Sequence, residues 1–232
     1  MSHEDPLVRP DGCLDAALQL LDRQLVDSEG RLAGKVDDVE LTEADDELRV
    51  TGILVGVPAW LPRTGPRQGP WWLEWWRRLG VTRADRTTPG RIGIERVAEL
   101  VQEVRLDRER DGIVQLAPGE EEHTGDSRHR LGDLLESSVT GADGDALGHV
   151  LDVRMAPAGE LSSGRVHAVG LVVGRVGRPG SLMGYERSED QGPAVLAALV
   201  HRIHRDTTYL PMERVARIDW DERVVHLADE RS

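Results

Sequence analysis

One eleven-residue stretch occurs twice in this chain, and it constrains the fold more than any other feature. Glu29-Gly30-Arg31-Leu32-Ala33-Gly34-Lys35-Val36-Asp37-Asp38-Val39 aligns with Asp143-Gly144-Asp145-Ala146-Leu147-Gly148-His149-Val150-Leu151-Asp152-Val153. The shared pattern is acid-Gly-x-x-x-Gly-x-Val-x-Asp-Val, at an offset of 114 residues. Thr51-Gly52-Ile53-Leu54-Val55-Gly56 then matches Val169-Gly170-Leu171-Val172-Val173-Gly174, and Glu95-Arg96-Val97-Ala98 matches Glu213-Arg214-Val215-Ala216, both at an offset of 118. Each copy closes on a short apolar run, Ile113 to Ala117 and Val224 to Ala228. Matches in the same order at nearly one offset point to a duplicated unit of about 100 residues, a normal domain size. They place a first domain at 16–118 and a second at 130–229. Residues 1–15 read as a loose tail, and the polar, apolar-poor 119–129 as a linker.

The chemistry of the repeated segments is that of β-structure. Gly30 and Gly144 sit in turn sequences where glycine supplies positive φ. Gly34 and Gly148 lie inside strand patterns, where glycine marks a bulge or a close backbone approach. Leu32, Gly34, Val36 and Asp38 alternate with their neighbours as in a half-buried strand. The acidic run Glu43-Ala44-Asp45-Asp46-Glu47 reads as a hairpin tip. Asp38 and Asp152 recur in both copies, and duplicated aspartates in strands are expected to bond a local turn or arginine rather than form a catalytic pair. Short strands with frequent glycine turns favour small barrels.

These residues resemble the PRC-barrel family, the small β-barrel of the photosynthetic reaction centre H subunit and of the C-terminal half of the ribosome maturation factor RimM. The resemblance rests on the turn-Gly-x-x-x-Gly-x-Val-x-Asp-Val pattern, the Val-x-Gly strand and the late Arg-Val-Ala strand, and it covers nearly the whole chain. It implies a mainly β protein with two PRC-type β-barrels in tandem, serving binding and assembly rather than catalysis. The chain departs from the reaction-centre subunit in having no transmembrane helix. It departs from RimM in carrying a second barrel in place of a separate N-terminal domain.

Each copy carries an insert between its matched strands, at 57–94 and 175–212. In each, Gly-Pro opens an amphipathic helical pattern, since proline suits a first helical turn. Trp71, Trp72, Trp75, Trp76 and Leu79 fall at the same spacings as Val195, Leu196, Leu199, Val200 and Ile203, one apolar stripe apiece. Such stripes ordinarily cover a core, yet four tryptophans exceed in bulk what the second copy uses there. The first insert also carries seven arginines against two acids in a chain of net charge -13. Trp71, Trp72, Trp75 and Trp76, flanked by Arg63, Arg67, Arg77 and Arg78, form the candidate interaction surface.

Composition narrows the function classes. The acidic balance argues against wholesale nucleic-acid binding. A single cysteine, Cys13, excludes an internal disulfide and a cysteine-based zinc site. No apolar run reaches the length of a membrane span, and the acidic start, without an apolar h-region, gives the expectation of no secretory signal. Gly30 to Val36 lacks the spacing and the hydroxyl residue of a P-loop, and Gly180-Ser181-Leu182-Met183-Gly184 has its serine one place early for a nucleophile elbow. His201, His204 and Asp206 have no metal-ligating counterparts in the first copy. The expectation is a cytoplasmic, non-enzymatic binding or scaffold protein with no cofactor, metal or small-molecule substrate. A protein is the first expected partner. RNA or the ribosome, and an anionic membrane surface met by a peripheral assembly factor, are the alternatives.

Overall fold

The computed structural model describes residues 12–45, 47–60, 89–100, 103–116, 127–135, 137–157, 166–175 and 207–229. In chain order the first half holds β1 (Leu14–Asp15), α1 (Ala16–Gln19), β2 (Gln24–Val26), β3 (Leu32–Lys35), β4 (Asp38–Ala44), β5 (Glu47–Val55), α2 (Val57–Trp60), β6 (Gly90–Gly93), β7 (Val97–Leu100), β8 (Val104–Leu106) and β9 (Gln115–Leu116). The second half holds β10 (Arg128–Arg130), α3 (Leu131–Leu134), β11 (Ser138–Thr140), β12 (Ala146–Pro157), β13 (Val166–Gly174), β14 (Thr207–Pro211), β15 (Val215–Asp219) and β16 (Val224–Leu227). The protein is mainly β. Among the described residues no helix is long and apolar enough to cross a membrane.

Strand pairing repeats along with the sequence. β2 pairs antiparallel with β3 and parallel with β8. β11 pairs antiparallel with β12 and parallel with β16. The β7–β8 hairpin corresponds to β15–β16, and the β5–β6 pair to β13–β14. A 3-10 turn, Ile94–Arg96 or Met212–Arg214, follows β6 and β14 alike. The outer ends of the inserts are therefore built into the sheets.

The chemistry of the glycines appears where the repeat requires it. Gly34 and Gly148 have φ of +141 and +143, conformations open to glycine at little cost, and each lies at a register shift. Gly30 and Gly144 turn at φ of +76 and +88. Ala44 pairs with Glu47 across the acidic hairpin tip, and Asp45 takes φ +51 there.

The chain divides into two compact units that do not follow the repeats throughout. The first comprises Leu20–Gly132 and Pro157–His167; the second comprises Met1–Gln19, Asp133–Ala156 and Ala168–Ser232. Leu14 and Asp15, tail residues by sequence, pair with Met155 and Arg154 in the second unit. Arg128, His129 and Arg130, in and beside the expected linker, pair with Thr42, Leu41 and Glu40 in the first. Each repeat thus gives its opening strand to the unit built on the other.

The core of the first unit gathers Leu25, Val36, Val39, Leu41, Ile53, Ile92, Val97, Val104 and Leu106. That of the second gathers Val139, Val150, Val153, Met155, Leu171 and Val225. Strict in–out alternation was expected for the repeated strand, but Asp38 to Thr42 and Val150 to Met155 are buried at every position. One face of β4, with Val39 and Leu41, is core, while the opposite face carries Asp38, Glu40 and Thr42 and is covered by polar contacts. Burial at that second face is what removes the alternation.

Candidate functional site

The recurring polar residues converge on the seats that receive the exchanged strands. In the second unit, α1 begins directly after β1, and its first turn leaves backbone N–H groups without intrahelical partners. Ala17 and Leu18 donate theirs to the Asp152 carboxylate, at 2.7 and 3.0 Å, and Val153 donates to the same carboxylate at 2.7 Å. In the first unit, Gly132 of α3 donates to Asp38 Oδ1 at 3.0 Å, and Val39 donates to the same atom at 2.8 Å. Both aspartates bond the N–H of the next residue, and each also reaches a helical turn. Each anchors a helical turn far along the chain, because a buried carboxylate needs several N–H donors to offset its desolvation.

Two residues beyond each aspartate the chemistry reverses sign. Arg154 is buried in the second unit and meets Asp15 of β1 at 2.9 Å, with the Tyr209 ring 4.8 Å from its guanidinium carbon. The aligned residue in the first unit is Glu40, also buried. It accepts Arg91 Nε and the Thr51 hydroxyl, each at 2.8 Å, and lies 3.8 Å from Arg128 of β10. Arg91 and Tyr209 occupy the same place in the repeat, opposite Leu54 and Val172. The repeated glycines Gly52 and Gly170 make room for them: a side chain at Gly170 would overlap the Tyr209 ring, and one at Gly52 would press on the Arg91 guanidinium.

Other charged groups are also committed to the fold. Asp27 is buried and accepts the N–H groups of Glu29, Arg31 and Arg110 and the Arg31 guanidinium. Burial pushes its carboxyl up, but those hydrogen bonds outweigh it and hold the pKa at about 2. Lys35, the residue that gave Gly30–Val36 a faint P-loop look, pairs with Asp22 and Asp37 at 3.2 Å each. Among the described residues no group of three or more His, Cys, Asp or Glu is placed to hold a metal ion.

Trp71, Trp72, Trp75, Trp76, Arg63, Arg67, Arg77 and Arg78 lie outside the described residues, as do His201, His204 and Asp206. Gly30, Gly34, Asp38, Gly144, Gly148 and Asp152 lie within them, the glycines at turns and bulges and the aspartates at the seats. Arg91 leaves the basic patch that the sequence suggested, since it bonds buried Glu40 and the Thr51 carbonyl. The described entrance to the first insert is α2, where Trp60 is 43% exposed and Arg130 of β10 donates to the Pro58 carbonyl at 3.2 Å. Trp60, Glu40, Arg154 and Asp15 were not singled out by sequence. The sign reversal between Glu40 and Arg154 in the repeat alignment is the signal that marks the seats. No protein-family model matches the chain, and no curated protein matches it.

Proposed function

We propose that the chain is a non-enzymatic, cytoplasmic binding or scaffold protein built from two PRC-type barrels, with its contact surface on the first insert. The observation that carries the reading is Trp60. It is a large apolar side chain left 43% exposed at the point where the chain enters the segment bearing Trp71, Trp72, Trp75 and Trp76. Exposed tryptophan beside arginine is the composition of binding hot spots. The buried acids support the same reading from the other side: Asp27, Asp38, Glu40 and Asp152 are held by amides, a hydroxyl or arginines. Such groups serve the fold rather than acid–base chemistry.

The partner is a protein with an acidic rim and an apolar centre, which Arg63, Arg67, Arg77 and Arg78 would meet around the tryptophans. The test is affinity capture from native lysate with wild type and a folded Trp71→Ser/Trp75→Ser variant, scoring protein, RNA and lipid. A protein held by wild type and lost by the variant is the expected result. Capture of RNA with a steep salt dependence, or of anionic vesicles with a blue shift in tryptophan emission, would replace it with one of the other partner classes. Equal capture by both proteins would overturn the assignment of the surface.

A further inference from the structure

The two seats share a strand register and a capped helical turn and are opposite in charge. Both take an antiparallel strand in the same register, Asp15 opposite Arg154 and Arg130 opposite Glu40. Both follow it with a helical turn that meets an aspartate two residues before the charged position, through Ala17 and Leu18 at Asp152 and through Gly132 at Asp38. The backbone register is therefore the same at both seats. The side chains differ. The seat centred on Arg154 receives the acidic strand, and the seat centred on Glu40 receives the strand carrying Arg128 and Arg130.

We propose that this reversal is an address: Asp15 with Arg154, and Arg128 with Glu40, direct each opening strand to the unit built on the other repeat, with Arg130 adding positive charge at the register position opposite Glu40. Placed on its own repeat, β1 would set Asp15 against Glu40. β10 would set Arg128 and Arg130 against Arg154. Both encounters would bring like charges together where Glu40 and Arg154 are nearly excluded from water, with side-chain exposures of 7% and 3%. Like charges at such a site are strongly unfavourable, and specificity of this kind rests on the repulsion in the wrong pairing as much as on the attraction in the right one. The supporting residues follow the same code. Arg91 reinforces Glu40, and at the equivalent place Tyr209 presents a ring face to Arg154.

Cys13 provides the readout. Extending the Leu14–Met155 register by one residue would set Cys13 opposite Ala156, and the equivalent position in the other seat is Thr42, opposite Arg128. Facing residues of antiparallel strands lie within disulfide reach. In the full chain, Cys13 should close a disulfide within the monomer in an Ala156→Cys variant and not in a Thr42→Cys variant. Exchanging the strand charges, with Asp15→Arg, Arg128→Asp and Arg130→Asp together, should invert that preference. A disulfide that stays with position 156 after the charges are exchanged would overturn the proposal and assign the exchange to chain connection alone. If the charge-exchanged chain does not fold, the seats are exchanged as well, by Glu40→Arg, Arg91→Tyr, Arg154→Glu and Tyr209→Arg. Recovery of the folded protein with the position 156 disulfide then supports the address, and no recovery overturns it.

Discussion

The carboxylate of Asp152 accepts the backbone N–H of Ala17 at 2.7 Å, across 135 residues of sequence. A second bond from Leu18 completes the cap on α1. Replacing Asp152 with alanine strips the acceptor from three N–H groups, those of Ala17, Leu18 and Val153. The expected loss is about 2–4 kcal/mol in urea unfolding, from a lost cap and unsatisfied buried donors. Asp152→Asn keeps one oxygen and should cost less than the alanine variant.

Arg154 and Asp15 form a buried ion pair, and such pairs are costly to break one-sidedly. Asp15→Ala removes the carboxylate 2.9 Å from the buried Arg154 guanidinium, and the expected loss is up to about 3–5 kcal/mol. Asp15→Ala combined with Arg154→Met removes both charges and should lose less than Asp15→Ala alone. A double-mutant cycle read by chemical denaturation measures that coupling.

Asp27 sets one limb of the pH dependence. Its folded pKa of about 2 lies below the ordinary 3.8, so the folded state favours the carboxylate. The resulting stability is present in full above the ordinary value and is lost as pH falls through about 2. Thermal melts of wild type and Asp27→Asn should therefore differ most near neutral pH and converge in strong acid.

Gly34 and Gly148 share nearly the same positive φ, yet their surroundings differ. A Cβ at Gly34 meets only Leu25 Cδ1 at 3.9 Å, whereas one at Gly148 would overlap the Gly174 carbonyl. Gly34→Ala should cost about 1–3 kcal/mol from backbone strain alone. Gly148→Ala adds a steric clash with backbone and should cost more, by about 1–3 kcal/mol. Paired denaturation curves of the two variants check this directly.

The duplication and its turns were legible because glycine chemistry is local: Gly30, Gly34, Gly144 and Gly148 need φ values that few other residues adopt. The exchange of opening strands was not. β1 has two residues and α1 has four, too few for a periodic pattern, so Leu14 to Gln19 carried no strand or helix signal. Asp38 and Asp152 stood out by recurrence, but a carboxylate does not reveal a partner 94 or 135 residues away. Glu40 and Arg154 carried no signal on their own, because their contacts, Arg91, Thr51 and Arg128 for one and Tyr209 and Asp15 for the other, lie far along the chain. The candidate surface was read from tryptophan bulk and arginine placement, and of the arginines in that insert Arg91 is half-buried and bonded to Glu40.

Hydrogen exchange at single-residue resolution, on wild type and Asp152→Ala, tests most directly whether each unit is completed by the other repeat's opening segment. The expected result is lost protection at Ala17 and Leu18 together with β11, β12 and the Ala168–Gly174 part of β13, while Leu25 and Val104 of the first unit keep theirs. Loss centred on β2, β4 and β8, with Ala17 and Leu18 unchanged, would contradict it.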